Sequence, residues 1–177
     1  MTTPPFVIHV AALRRNPGTR LHERRSGHIG GLTVSGSSVP PDAEVTVDAG
    51  LELAGNSIVV TGTVTANWVG ECRRCLGPVT GDLAVPVREL YERRAQRPHG
   101  LEGEETYPLD GDSLDLLPLA RDAVLLDLPL APLCRPDCAG LCPTCGADLN
   151  AGPCGCPSED VNGRWAALDA LRSPDSA

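Results

Sequence analysis

Between residues 43 and 92 apolar and polar positions alternate, the period-two pattern of strands with one buried face. Val45 and Val47 flank Thr46, and after the turn signal Asn56-Ser57 the run from Ile58 to Trp68 is dominated by β-branched residues. A third run, residues 79–92, sets Leu83, Val85 and Val87 against Asp82, Ala84 and Arg88. These segments predict an antiparallel meander. The hairpin between its second and third strands carries Glu71-Cys72-Arg73-Arg74-Cys75-Leu76-Gly77 at its tip. Pro86 has no N–H to give a ladder, which places its strand at a sheet edge.

On either side of the meander the periodicity changes. Residues 6–13 read as a strand or strand-to-turn entry, broken by Asn16-Pro17-Gly18. The Gly- and Ser-rich stretch 26–38 predicts a loop with Leu32 and Val34 in a short extended piece. Residues 93–113 predict an acidic, exposed loop that ends in the turn Asp110-Gly111-Asp112-Ser113. From 114 to 128 the period becomes helical: Leu117, Ala120, Val124, Leu125 and Leu128 share one face, Pro118 fits a first turn, and Pro129 and Pro132 stop the helix. Trp165, Leu168 and Leu171 predict a second short amphipathic helix over 160–172, packing back on the body. The fold class expected is α+β: an antiparallel β-meander or partly closed barrel with a few short helices, in a β-rich body at 1–132, followed at 133–177 by a cysteine-rich, zinc-ribbon-like segment and a C-terminal helix.

A chain of 177 residues suits one domain with an appended module. Its aromatic residues are Phe6, Trp68, Tyr91, Tyr107 and Trp165, so the core must rest on Val, Leu and Ala. Metal crosslinks would then carry a share of stability, because forming such a site is itself folding free energy. The N-terminus has no charged-then-apolar leader, and no window approaches about 18 uninterrupted apolar residues. A cytoplasmic, reducing compartment is expected, where clustered cysteines bind metal in preference to forming disulfides.

Six of the eight cysteines fall between Cys134 and Cys156; the other two are Cys72 and Cys75. A C-x2-C turn aims two sulfurs at one cation, and tetrahedral zinc needs two such turns facing each other. Cys142, Cys145, Cys154 and Cys156 make one closed site over a short span. Cys72, Cys75, Cys134 and Cys138 are the right number for another, although they must meet across a long segment. Spacing leaves a second grouping open, Cys134, Cys138, Cys142 and Cys145, with Cys72 and Cys75 joined to Cys154 and Cys156. Either way two structural Zn²⁺ ions are expected.

Charge is unevenly distributed. The net charge is −8, yet residues 1–100 hold eleven arginines against nine carboxylates, while residues 101–177 hold four against fourteen; there is no lysine. Arg14, Arg15, Arg20, Arg24 and Arg25 form either a solvated surface arm or a phosphate-contacting one, and with Arg73 and Arg74 they are the candidate RNA-binding residues. His22 and His28 are placed to assist an anion. Trp68 fits the core of the meander, with stacking on a base as the functional alternative.

No paired acid and base, Gly-rich phosphate loop or Ser-His-Asp order is present. Asp110-Gly-Asp112 lacks the remaining ligands of a calcium loop. The C-x2-C spacing also occurs in disulfide oxidoreductases, but there it opens a helix, whereas Cys72 and Cys75 lie between strand-like runs. Closed four-thiolate sites leave no coordination position for catalysis. The expectation is a protein that binds and does not catalyse, with a cysteine-based redox protein and a zinc-ribbon module for protein partners alone as the alternatives.

Glu71-Cys72-Arg73-Arg74-Cys75-Leu76-Gly77-Pro78-Val79, the approach Asp127–Cys134, the block Asp137–Asn150 and Pro153-Cys154-Gly155-Cys156 with the Trp165 helix together resemble the YceD family, the large ribosomal RNA subunit accumulation proteins, in its cysteine-rich Gram-positive-type branch. The resemblance spans residues 6–172. It implies a small, non-enzymatic, cytoplasmic ribosome biogenesis factor supporting accumulation or processing of the large-subunit (23S) RNA. Implied partners are the ribosomal RNA precursor or pre-50S particle, with no membrane and no small-molecule substrate. A basic ribosomal protein is a rival contact, for which the acidic stretch 102–115 offers a face.

Overall fold

A computed structural model describes residues 4–16, 18–93 and 106–156 of the chain. Two compact units are present, Met1–Cys138 and Ala139–Ala177. The first is mostly β, a curled half-barrel sheet with few helices. Its elements in chain order are β1 (Val7–His9), α1 (Ala11–Arg15), β2 (Arg20–Gly27), β3 (Ser37–Ser38), β4 (Val45–Ala54), β5 (Ser57–Glu71), β6 (Pro78–Glu92), β7 (Tyr107–Asp110), β8 (Ser113–Asp115) and α2 (Leu117–Asp127). The strands follow the order β1-β8-β7-β6-β5-β4-β2, with β3 paired to β5 off that path.

The expected meander is β4-β5-β6, three consecutive antiparallel strands. Alternation sets the buried face: Val45, Val47, Ala49 and Leu51 of β4 and Ile58, Val60, Val64 and Ala66 of β5 all lie in the core. Two glycines let the strands lie closely. A Cβ on Gly62 would meet the Asp48 carbonyl oxygen and come within 2.6 Å of Ala49 Cα, and a Cβ on Gly81 would stand 2.8 Å from the Trp68 indole that lies over it. Trp68 is thus partly buried against the core, covering its cross-strand partner Gly81. Tyr91 closes the far end of the sheet, fully buried, its hydroxyl donating to the Asp115 carbonyl at 3.0 Å and its ring stacked on Tyr107 at 5.2 Å.

Several elements differ from the pattern-based expectation. The strand entry at 6–13 is shorter: β1 stops at His9, and Ala11-Ala12-Leu13-Arg14-Arg15, all good helix formers, turn into α1. The arginine-rich segment is not an arm, and the following loop begins later, because Arg20–Gly27 pairs along β4 as a sheet edge. An edge strand wants charge on its exposed side, which hides its periodicity from a hydrophobic reading. On α2 it is Leu119, Ala120 and Val124 that are buried, while Leu117 faces outward. Pro86 pairs with Thr63 of β5, and β6 has its other neighbour, β7, only at Tyr91 and Glu92. The turn at Gly111 joins β7 to β8, with Gly111 at φ +60° as a two-residue hairpin prefers. Of the expected 93–113 loop, residues 94–105 lie outside the described residues, as does the helix expected at 160–172. The second unit, over its described residues, is built of turns and one isolated bridge, Leu141 to Asp148.

Replacing Gly62 by Ala should overpack the β4–β5 contact and destabilise the first unit by about 2 to 3 kcal/mol. Chemical denaturation followed by circular dichroism measures this; an unchanged midpoint would contradict the packing described.

Candidate metal centres

The β5–β6 ladder runs from Ile58 opposite Tyr91 to Glu71 opposite Pro78 and closes on the six residues 72–77. Within this tip the Cys72 N–H donates to the Gly77 carbonyl at 2.8 Å, and the Leu76 N–H donates to the Cys72 carbonyl at 2.8 Å. The second unit repeats the same turn. Cys142 N–H donates to the Ala147 carbonyl at 2.8 Å and Gly146 N–H to the Cys142 carbonyl at 2.9 Å. Both turns need a left-handed residue after the second cysteine. Gly146 supplies it at φ +73°, Leu76 at φ +59°. A side chain with a Cβ holds that conformation at a cost of roughly 1 to 2 kcal/mol.

The partner of the first knuckle arrives from the end of α2. After Leu128 the chain runs as a strap across β3 and the tip of β5. Ser37 donates its hydroxyl to the Pro129 carbonyl at 2.8 Å, Ser35 to Leu130 at 3.2 Å, and the Arg73 backbone N–H to Pro132 at 3.0 Å. Gly36 makes room for this: a Cβ there would overlap the Leu130 carbonyl oxygen and sit 2.7 Å from Pro132. The strap delivers Cys134 and Cys138 to the knuckle, and Arg74 pins the far end by donating to the Cys138 carbonyl at 2.8 Å.

Four sulfurs meet at each end point. Cys72, Cys75, Cys134 and Cys138 form one tetrad and Cys142, Cys145, Cys154 and Cys156 the other, with the ligand atoms of each within 4.8 Å of one another. This is the first of the two groupings that spacing allows; the alternative is not formed. In the first tetrad Cys72 Sγ lies 3.8 Å from Cys138 Sγ, and Cys75 Sγ 3.7 Å from Cys134 Sγ. A disulfide would bring sulfurs to about 2.05 Å. A tetrahedron of thiolates about 2.3 Å from a central ion has edges of about 3.8 Å. The donor set therefore fits a tetrahedral cation. The second tetrad is reached through an Asx turn, in which Asp148 Oδ1 accepts from the Asn150 N–H at 2.9 Å, while Asn150 Oδ1 accepts from the Ala139 N–H at 2.8 Å.

Electrostatics point the same way. The backbone N–H groups of Cys75 and Cys134 hold the Cys72 thiol down to about 6, and those of Cys145 and Thr144 hold Cys142 down to about 6. Further ionisation then meets charge already present. The Cys138 side chain and desolvation push Cys134 up to about 12, and Cys145 does the same to Cys156. In each cluster one thiol ionises readily and another resists, a balance that a cation among the four sulfurs would shift toward the thiolates.

The arginines proposed for RNA occupy three places. Arg14 on α1 pairs with Asp112 at 2.7 Å, and Arg15 bonds the Ala11 carbonyl. On edge strand β2, Arg20 pairs with Glu52 at 2.8 Å, Arg24 with Asp48 at 3.5 Å, and Arg25 with Glu23 at 2.9 Å; His22 also meets Asp48, at 2.9 Å. Arg73 and Arg74 lie on the knuckle. His28 bonds the Ala43 carbonyl. Sequence reasoning missed the strap serines and Leu76. For Leu76 a signal existed: aligning Cys-Arg-Arg-Cys-Leu with Cys-Pro-Thr-Cys-Gly puts it where the second knuckle has glycine.

Fold and site together define a small β protein carrying two cysteine tetrads, each able to hold a metal ion. A family model described as large ribosomal RNA subunit accumulation protein YceD matches residues 60–172, a span that contains all eight cysteines. An uncharacterised protein of Mycobacterium tuberculosis is 35% identical over 97% of this chain and 84% of its own length, and one of Mycobacterium leprae is 33% identical over 97% and 79%. A Zea mays protein named large ribosomal RNA subunit accumulation protein YCED homolog 1, chloroplastic, is 38% identical over 32% of this chain and 20% of its own. No solved structure gives a significant match. The chain belongs to the YceD family.

Cys72→Ser and Cys142→Ser should each lower tightly held divalent metal from about two ions per chain to about one, read by elemental analysis of protein purified without chelator. Two ions retained in either variant would show that the tetrad concerned is not a metal site.

Proposed function

We propose that this protein is a non-enzymatic, zinc-stabilised ribosome biogenesis factor that acts in the cytoplasm and supports accumulation or processing of large-subunit ribosomal RNA by binding its precursor particle. The observation that carries the reading is the family match over residues 60–172, which includes the first knuckle, the strap and the second tetrad. Zinc is the ion the donors suit best: four thiolates in tetrahedral array select zinc or iron among common metals, and zinc holds such sites without redox chemistry. The same donors support binding in place of catalysis. With four protein sulfurs on each ion, no position remains for a water or substrate. Among the described residues no helix is long and apolar enough to cross a membrane.

Depleting the protein should lower mature large-subunit RNA relative to small-subunit RNA and raise its unprocessed precursor. Re-expression of the wild type should restore the ratio, and Cys72→Ser should not. A ratio that stays constant on depletion would overturn the ribosomal role.

A further inference from the structure

Leu76 is at odds with its surroundings. It has the one positive φ among described residues other than glycine, and it is 62% exposed. Neither the turn nor the metal asks for it: Gly146 closes the sister knuckle with the same pair of hydrogen bonds and no strained side chain. A strained, solvent-facing leucine on a metal-pinned turn is a feature that a contact outside the chain would explain. Two more exposed apolar side chains accompany it. Val69 at 39% and Leu130 at 66% line the same groove of about 610 Å³ between the strap, β3 and the knuckle. Glu71 and Arg73 border the groove, and their side chains have no partner among the described residues.

We infer that this groove is the docking site for a basic protein segment that inserts an aliphatic or aromatic side chain between Leu76, Val69 and Leu130. This rests on the ribosomal reading and names its partner as a protein of the particle, not its RNA. Charge decides between them. Among its described residues the first unit holds eleven arginines against fifteen carboxylates, a net −4, and its tetrad would add about −2 with four thiolates on a divalent ion. Four of the arginines best placed by sequence to meet phosphate, Arg14, Arg20, Arg24 and Arg25, are engaged by carboxylates. At the groove the lone Arg73 is offset by Glu71. Such a field repels a polyanion and a second copy of this chain alike, and draws a cationic polypeptide. The apolar side chains supply the central anchor that a protein interface needs.

The test uses the full-length, metal-loaded chain against two probes: RNA-free proteins extracted from large ribosomal subunits, and protein-free large-subunit RNA. Saturable binding to at least one basic protein of the extract is expected. Leu76→Gly and Leu130→Ser should weaken it at least tenfold, whereas Leu126→Ser, at an exposed leucine of α2 away from the groove, should leave it unchanged. Leu76→Gly should also keep its metal and melt no lower than the wild type, which separates loss of contact from loss of fold. Unchanged binding by Leu76→Gly, binding to the RNA alone, self-association through the groove, or no binding by the wild type would each overturn the inference. Failure of wild-type re-expression to restore large-subunit RNA would instead overturn the ribosomal role.

Discussion

Two chain segments about sixty residues apart each bring a pair of thiols to one point, and the structure of the first unit depends on what holds those sulfurs together. Backbone N–H groups favour the thiolate at Cys72 and at Cys142, while Cys134 and Cys156 resist ionisation beside them. A divalent cation reverses that balance by making every further thiolate favourable. It would also close the long loop between Cys75 and Cys134, which would lower the entropy of the unfolded chain more than a short clip would. In a protein with few large rings for its core, this is where a metal would matter most.

From that closure the surrounding geometry follows. The β5–β6 hairpin is long enough to carry its tip to the strap, and Gly36 lies where a side chain would block the strap's approach. Ser35 and Ser37 satisfy carbonyls that a proline-rich strap cannot pair within itself. The knuckle is consequently held from two sides, by sheet and strap, and an ion among its four sulfurs would hold it from a third. A rigid turn can keep Leu76 in a conformation that a freer loop would relax, and that turns a conformational cost into a presented surface.

Much of this was legible in the chain. Period-two alternation gave the three strands of the meander, and C-x2-C spacing gave both knuckles, while the choice between two tetrad groupings had to wait for the fold that brings Cys134 and Cys138 to Cys72 and Cys75. What escaped did so for physical reasons. Strand β2 is an edge, so its exposed face is written in Arg20, His22 and Arg24 and not in apolar residues. Helix α1 is a five-residue piece whose helix formers follow directly on a strand. The strap has no period at all, because its backbone is held by two serines and the tip of a distant hairpin. Its contacts are tertiary, and only the glycines at 36 and 70 hint at a close approach. The arginines were visible as charge, but their carboxylate partners on β4 required the strand register to be known.

The chemical state of the eight sulfurs decides what the two tetrads are. X-ray absorption at the metal edge, recorded on protein purified without chelator, reads that state directly. Two tetrads of the kind described predict a shell of four sulfur scatterers at about 2.3 Å around each ion, with no oxygen or nitrogen in the first coordination sphere. A shell mixed with light atoms, or metal-free protein whose sulfurs are joined in disulfides, would contradict it.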